Sequence, residues 1–312
     1  MTILSFMNHT IFDNGACSKL AKTLKQCRIE RPLLCTDIGL VKIGLVDEIK
    51  GFLDNHTEVT LFDGTPENPT QIAVEQAAKL YQEMDCDGII TLGGGSSMDL
   101  GKAVALAVSH QGELIEYTAG LKGAKKIGKV APIIAIPTTS GTGSEISTGA
   151  VIIMRNGEKL ILASRELIPI IAICDPLLTV SLPARLTAAT GMDAVTHCIE
   201  ALLSNQINPP AEAVACDGIQ RGIRDGYLSR AVKDGKDENA RWNMMMASLE
   251  GAMAFSKGLG AVHSMSHACG ADQSLKLHHG TLNAVILPTI LDFNRDHVGN
   301  CLLYTSDAAD ER

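Results

Sequence analysis

The chain has 312 residues, 46% of them hydrophobic, and its 27 Lys and Arg against 35 Asp and Glu give a net charge of −8. This hydrophobic content excludes a disordered chain, and the length predicts a sizeable core divided between two domains. The acid excess argues against nucleic-acid binding, which needs clustered Lys and Arg. The sequence shows no apolar run of the roughly 18 residues that a membrane span needs, and residues 1–12 lack the pattern of a secretory signal.

Short apolar runs alternate with amphipathic stretches through the first half of the chain. Apolar residues at helical spacing predict helices over 41–55 and 70–84, and apolar runs predict strands over 31–36, 58–62, 88–92, 130–136 and 170–174. Strands of this kind that alternate with helices are typical of a parallel sheet covered on both faces. From about Ser181 onward only helical stretches are predicted, so we expect a domain boundary near 176–182.

A glycine-rich turn follows the third predicted strand. The run Gly93-Gly94-Gly95-Ser96 leads into an expected helix, and Ser96 with Asp99 has the spacing of a capping box. Three glycines would let an anion approach the backbone N–H groups at the helix N-terminus. The turn matches neither G-x-G-x-x-G nor a Walker loop, so it predicts a phosphate site with a flexible connector as the alternative.

Two further positions follow predicted strands. Residues 138–144, TTSGTGS, follow the fourth strand with hydroxyls and glycines that could contact a nucleotide, since open α/β sheets bind ligands at the carboxyl ends of their strands. A polar turn that caps a helix is the alternative. Asp37 follows the first strand, where a carboxylate could bind a ribose diol and repel a 2′-phosphate. An ordinary loop aspartate is equally compatible.

Histidines and an aspartate recur at helical spacing in the second half of the chain. The pairs are Asp193 with His197 and His263 with His267, each four residues apart, followed by adjacent His278 and His279. Imidazoles with one carboxylate suit Fe, Zn, Ni or Co and disfavour Mg and Ca. This pattern predicts a metal site, and the alternative is structural histidines beside a solvated Asp–His pair.

The nine cysteines are scattered, odd in number and without a C-x-x-C pair. This pattern favours reduced thiols in a cytoplasmic protein over a disulfide framework or a cysteine zinc site. The sequence does not specify an oligomeric state, and a homo-oligomer is compatible with it.

Taken together, four motifs resemble the iron-containing alcohol dehydrogenase family. They are GGGSSMD at 93–99, PTTSGTGSE at 137–145, GMDAVTH at 191–197, and HSMSH at 263–267 with HHG at 278–280. Their order and spacing match the family from about Phe12 to Asp296. The resemblance implies an α/β nucleotide-binding domain with a Rossmann-like parallel sheet over 1–180 and an all-α metal-binding domain over 181–300.

The resemblance also assigns site residues. It places the metal ligands at Asp193, His197, His263 and His279, because Gly280 favours His279 over its neighbour. His267 falls on a histidine near the substrate and the nicotinamide and is the candidate proton relay. The motifs and the resemblance together predict a nucleotide site of Asp37, Gly94, Gly95, Ser96, Asp99, Thr138, Thr139, Ser144 and Lys159. Asp37 favours NAD, with NADP as the alternative, and the metal is expected to be Fe²⁺, with Zn²⁺ as the alternative.

The implied activity is metal-dependent, NAD(P)-linked interconversion of a small alcohol and its aldehyde. Two alternatives are an NAD- and metal-dependent lyase of the dehydroquinate synthase type and an inactive nucleotide-binding fragment. Family members are longer, and the resemblance fades after residues 293–295. We therefore expect a truncated or frame-shifted chain, with an incomplete helical domain and a non-native tail over 301–312.

Overall fold

A computed structural model of the chain describes residues 8–54, 56–270, 275 and 277–298. Within these residues the chain forms two compact units, which divide at Asp175 and Pro176, and the segment 139–143 groups with the second unit. Among the described residues, no helix combines the length and apolar character needed to cross a membrane. The tail expected over 301–312 lies outside the described residues.

The first unit is built on a six-stranded parallel sheet with the strand order β1-β8-β5-β4-β2-β3. Its strands are β1 (His9–Phe12), β2 (Pro32–Cys35), β3 (Thr60–Phe62), β4 (Gly88–Gly93), β5 (Ile133–Pro137) and β8 (Ile171–Cys174). The central strands β2, β4 and β5 are buried along their whole length. This burial explains their near-continuous apolar sequences.

Helices and a hairpin complete the first unit. The helices are α1 (Leu20–Cys27), α2 (Ile38–Lys42), α3 (Leu45–Lys50), α4 (Gln71–Glu83) and α5 (Gly95–Ser109). The strands β6 (Gly149–Ile153) and β7 (Lys159–Ala163) form a separate antiparallel hairpin. Side chains of α4, α5, β6 and the central strands form one apolar core.

The structure differs from the sequence-based elements at three places. The helix expected over 41–55 is two short helices, α2 and α3, because Gly44 adopts a left-handed φ of 81° between them. The strand β1 and the β6–β7 hairpin were not predicted. Strand β1 is short and depends on pairing with β8, far along the chain, and β6 and β7 pair only with each other.

The second unit is helical in the described residues. Its helices are α6 (Ala184–Leu203), α7 (Pro209–Ile219), α8 (Tyr227–Lys233), α9 (Glu238–Ala254), α10 (Ala261–Cys269) and α11 (His279–Asn294). Close approach of two of them to α6 requires glycine. A Cβ on Gly251 of α9 would lie 2.8 Å from the Ala194 carbonyl oxygen, and one on Gly280 of α11 would collide with the Ala189 carbonyl. These approaches bring the start of α11 beside the middle of α6.

Candidate functional site

Three helices of the second unit bring the four predicted metal ligands together. Asp193 and His197 lie one turn apart on α6, His263 lies in the first turn of α10, and His279 is the first residue of α11. The first three are at most 4% exposed, and the His279 side chain is 30% exposed. Of the adjacent His278 and His279, His279 is the one whose ring lies next to Asp193.

We call the side chains of Asp193, His197, His263 and His279 the metal cluster. The distances from Asp193 to the three histidines fit ligands of a single ion. Oδ1 of Asp193 lies 3.5 Å from Nε2 of His263, 3.5 Å from Nε2 of His279 and 3.9 Å from Nε2 of His197. Two donors bound to one ion at about 2.0–2.2 Å are separated by roughly 3–3.5 Å. Ligand atoms of Asp193, His197 and His263 all lie within 4.8 Å of one another. One carboxylate with imidazoles is a donor set for iron or zinc.

Electrostatics prepare the cluster for a cation. Burial opposes the charge of Asp193, but the neighbouring His197 and a hydrogen bond from His263 outweigh it and hold the Asp193 pKa well below its usual range. Burial lowers the pKa of His197 to about 4, so its ring is neutral near pH 7. A carboxylate that stays ionised beside a neutral imidazole is the state in which both can ligate a metal.

Aromatic contacts fix the ring orientations. The His197 ring stacks on the His263 ring, with centroids 4.5 Å apart, and meets the Phe255 ring edge-on at 5.0 Å. His267 lies one turn beyond His263 on α10, exposed, with its ring centroid 4.7 Å from that of His279. The predicted proton relay therefore lies at the rim of the cluster.

Two buried residues of the cluster had no predicted role. Nδ2 of Asn283 donates a hydrogen bond to Oδ1 of Asp193 at 2.7 Å and lies 3.3 Å from Nε2 of His279. Its position four residues after His279 on the same helix was the signal that could have identified it. Glu200, three residues after His197 on α6, contacts His263 from the side opposite Asp193.

The predicted nucleotide turns lie at one edge of the parallel sheet. Adjacent strands β2, β4 and β5 end at Cys35, Gly93 and Pro137, so their carboxyl ends and the residues after them are neighbours. Gly94 caps α5 without a side-chain hydrogen bond to the first turn. Gly93 has a φ of 146°, and a Cβ there would lie 2.5 Å from Oγ of Ser97. Side-chain-free backbone at a helix N-terminus is a suitable cradle for a phosphate.

The capping box expected from Ser96 and Asp99 is wrong. Helix α5 starts at Gly95, so Ser96 lies within the first turn, and its hydroxyl donates to the Glu67 carbonyl. Asp99 instead accepts hydrogen bonds from Oγ of Ser144 at 2.7 Å and from the Val151 N–H at 2.9 Å. Two predicted nucleotide-binding side chains, Asp99 and Ser144, are therefore engaged with each other.

The other predicted nucleotide contacts occupy the strand ends. Asp37 is the N-cap of α2, and its Oδ1 accepts from the N–H groups of Gly39 and Leu40 at 2.8 and 3.1 Å. The buried Thr138 follows β5 and donates its N–H to the Gly93 carbonyl at 2.9 Å. Thr139 begins the 139–143 segment, which groups with the second unit.

Two lysines lie near Asp99. Lys159 begins β7 and donates to Oδ1 of Asn68 at 3.1 Å, and burial lowers its pKa. Lys102, fully buried on α5, donates to the carbonyls of Ser147 and Gly149 at 2.9 and 2.8 Å. Burial lowers the pKa of Lys102 to about 8. Sequence reasoning assigned Lys102 no role, although a lysine inside an apolar helix was a visible signal.

The fold and these two sites together define a two-domain, metal-dependent oxidoreductase that uses a nicotinamide nucleotide. A model of iron-containing alcohol dehydrogenase matches residues 8–176, and one of the C-terminal domain of the Fe-containing alcohol dehydrogenase family matches residues 187–309. The chain belongs to the iron-containing alcohol dehydrogenase family. Iron and NAD(H) are the cofactors of this family, and its activity is the interconversion of alcohols and aldehydes.

Relatives agree across most of the chain. The 4-hydroxybutyrate dehydrogenase of Cupriavidus necator is 49% identical over 304 residues, which are 95% of this chain and 78% of that protein. The 1,3-propanediol dehydrogenase of Klebsiella pneumoniae is 38% identical over 92% of this chain and 74% of its own length. A crystal structure of 1,3-propanediol oxidoreductase superposes with a TM-score of 0.88 at 36% identity, covering 94% of this chain and 76% of the other.

A further structural relative contains the cofactor. Sulfoacetaldehyde reductase from Bifidobacterium kashiwanohense in complex with NAD⁺ has a TM-score of 0.85 at 26% identity, over 94% of this chain and 77% of the other. The C-terminal family match runs to residue 309, so the expectation that the resemblance fades after 293–295 is wrong. That match gives no support to an incomplete helical domain.

Proposed function

We propose that this chain oxidises a small primary alcohol reversibly with NAD at the metal cluster of Asp193, His197, His263 and His279. The observation that carries the assignment is the convergence of three imidazoles on Oδ1 of Asp193, at 3.5 Å for His263 and His279 and 3.9 Å for His197. In this proposal the domain over 1–180 binds the dinucleotide, and the domain over 181–300 binds the metal.

The cluster residues would hold the metal and set its charge. Asp193 supplies the anionic donor, and burial keeps His197 neutral as a second donor. When bound, the metal supplies Lewis-acid chemistry, lowering the pKa of an alcohol oxygen and polarising a carbonyl. His267 is proposed to move the released proton, because its exposed imidazole ring lies at the rim of the cluster, where it can exchange protons with solvent.

The α/β unit would hold NAD at the strand ends. The open N-terminus of α5 with Gly94 and Gly95 is proposed to bind the pyrophosphate, with Ser96, Thr138 and Thr139 along the nucleotide. Asp37 is proposed to accept hydrogen bonds from the adenosine ribose, which favours NAD over NADP. Lys159 is proposed to lie beside the cofactor. The hydrogen bonds that Asp99 accepts from Ser144 and Val151 are proposed to stabilise the turn that holds it.

For the substrate we propose a short-chain primary alcohol with a second polar group, and 4-hydroxybutyrate as the first compound to test. The support is the relative at 49% identity, a 4-hydroxybutyrate dehydrogenase, with 1,3-propanediol dehydrogenases at 38% as the next class. Iron is the proposed metal, and zinc remains compatible with the same donors.

The test combines metal content with turnover. The chain is loaded with Fe²⁺ without oxygen, desalted and analysed for metal, and NADH formation is then followed with 4-hydroxybutyrate, 1,3-propanediol and ethanol. We expect close to one metal per chain and a kcat/KM at least 10-fold higher for one functionalised alcohol than for ethanol. Metal binding without NADH from any alcohol would overturn the proposal, and substrate conversion without NADH accumulation would indicate the lyase.

The proposed cellular setting follows from the thiols. The described residues contain eight cysteines with no disulfide among them, six of them buried or half-buried, which supports a reducing compartment such as the cytoplasm. Cell fractionation checks this location. Light scattering on the purified chain decides between a monomer and a homo-oligomer.

A further inference from the structure

Glu200 is a buried carboxylate next to the metal cluster but outside the predicted ligand set. It lies on α6, three residues after His197, and is 2% exposed. Burial of an acidic side chain is costly unless charged or hydrogen-bonding groups compensate it. The contacts of Glu200 therefore indicate what it does.

Both carboxylate oxygens of Glu200 meet the start of α10. Oε1 accepts a hydrogen bond from the Val262 N–H at 2.7 Å, and Oε2 accepts one from the His263 N–H at 3.3 Å. Oε2 also forms a short hydrogen bond with ring atom Nδ1 of His263. A Cβ on Gly260 would lie 2.7 Å from Oε1, so the glycine leaves room for this approach.

The ring contact determines which nitrogen of His263 can bind a metal. A neutral imidazole has one N–H and one lone pair, and a carboxylate beside Nδ1 holds the proton there. When a metal displaces the proton of Nε2, which lies 3.5 Å from Oδ1 of Asp193, the proton on Nδ1 stays with Glu200 and the Nε2 lone pair binds the metal.

We infer that Glu200 is a positioning residue that fixes the tautomer and the ring orientation of His263 and thereby sets the affinity of the cluster for a divalent metal. The inference rests on the proposed metal centre and adds a residue that acts through one of its ligands. Glu200 also accepts two N–H groups at the first turn of α10, so a purely structural role as a helix cap is the competing explanation.

The Glu200→Gln variant separates the two roles. The amide oxygen of Gln can still accept the Val262 N–H, whereas the charge that holds the proton on Nδ1 is lost. Dissociation constants for Co²⁺ and Zn²⁺ are measured on the full chain by competition with a chromogenic chelator, together with the melting temperature of the metal-free chain. We expect metal affinity 10- to 100-fold weaker than in the wild type, as found for other groups that orient metal-bound histidines. The metal-free melting temperature should change by only a few degrees.

Glu250→Gln is the matched control, because Glu250 is a buried carboxylate on α9 that contacts Arg221 rather than a histidine. Its metal affinity should stay within twofold of the wild type. Unchanged affinity in Glu200→Gln would overturn the inference, as would an affinity loss in Glu200→Gln matched by the control. If the Gln variant does not fold, Glu200→Asp decides: its shorter carboxylate should weaken binding, and wild-type affinity would overturn the inference.

The wild type separates this inference from the proposed function. A wild-type chain that binds no Co²⁺ or Zn²⁺ would overturn the metal centre itself, and the inference with it. A wild type that binds one ion, beside a Glu200→Gln variant that binds equally well, would overturn the positioning role alone.

Discussion

The metal cluster and the segment after the second glycine-rich turn both bury carboxyl groups, but shift the pKa values of these groups in opposite directions. Asp193 is surrounded by three histidines and an amide, which keep its pKa low despite burial. Burial raises the pKa of Glu145 to about 7, and Lys102 opposes this only in part. The difference shows that burial alone does not make an anionic site. Groups that donate hydrogen bonds or carry positive charge must converge on the carboxylate.

The two regions also differ in what they offer a ligand. The metal cluster presents side chains from three helices. Each of them provides one donor atom for the metal, and no neighbouring group takes its place. The glycine-rich turn before α5 presents backbone N–H groups, and its neighbours Asp99 and Ser144 form a hydrogen bond with each other. Single substitutions should therefore remove function at the metal cluster and mainly alter stability or selectivity at the turns.

The largest effect is expected from His263→Ala. Removing one buried ligand should reduce metal content from about one per chain to near zero and lower kcat/KM by roughly 10³-fold or more, because the metal supplies the Lewis acid. Elemental analysis and NADH assays measure both quantities. His56→Ala, at an exposed histidine of the α/β unit, should leave both unchanged. Normal activity in His263→Ala would show that single substitutions at the metal cluster do not remove function.

A smaller effect is expected from Glu145→Gln. A carboxyl group with a pKa of about 7 in the folded chain and 4.5 in the unfolded chain stabilises the fold at low pH, and this stabilisation is lost as the pH rises through 7. This shift in pKa contributes at most about 3 kcal/mol to the free energy of unfolding. Urea unfolding should show wild-type stability falling between pH 5 and pH 8 relative to Glu145→Gln, by about 2 kcal/mol.

Glu166→Gln is the matched control for this pH dependence, since Glu166 is exposed. Its stability difference from the wild type should be constant between pH 5 and pH 8. A constant difference in Glu145→Gln as well would mean that this buried carboxyl ionises like an exposed one, and that the contrast with Asp193 is absent.

The smallest effect is expected at Asp37. Asp37→Ser keeps an N-cap for α2 but removes the charge that would repel a 2′-phosphate, so the ratio of kcat/KM for NADP to that for NAD should rise about 10-fold, or about 1.4 kcal/mol. Asp37→Ala should change the ratio equally and cost a further ~1 kcal/mol of stability through the lost cap. An unchanged ratio in both variants would limit Asp37 to helix capping.

Local patterns determined much of this molecule. The helix predicted over 70–84 is α4, Gln71–Glu83, with Thr70 as its N-cap, because apolar spacing and a capping hydroxyl are properties of adjacent residues. The all-apolar runs gave the buried strands of the parallel sheet for the same reason. At the metal cluster, spacing placed Asp193 with His197 on one helix face.

Tertiary structure decided what depends on distant partners. Strand β1 exists because His9–Phe12 pairs with β8, and Asp99 accepts from Ser144 and Val151 rather than capping α5. The convergence of α6, α10 and α11 brought Glu200 to Nδ1 of His263. A sequence displays the chemistry of each side chain and the periodicity of its neighbours. Which side chains share a buried volume is set by the packing of elements that lie far apart along the chain, and that packing gave Glu200 its contact with the metal cluster.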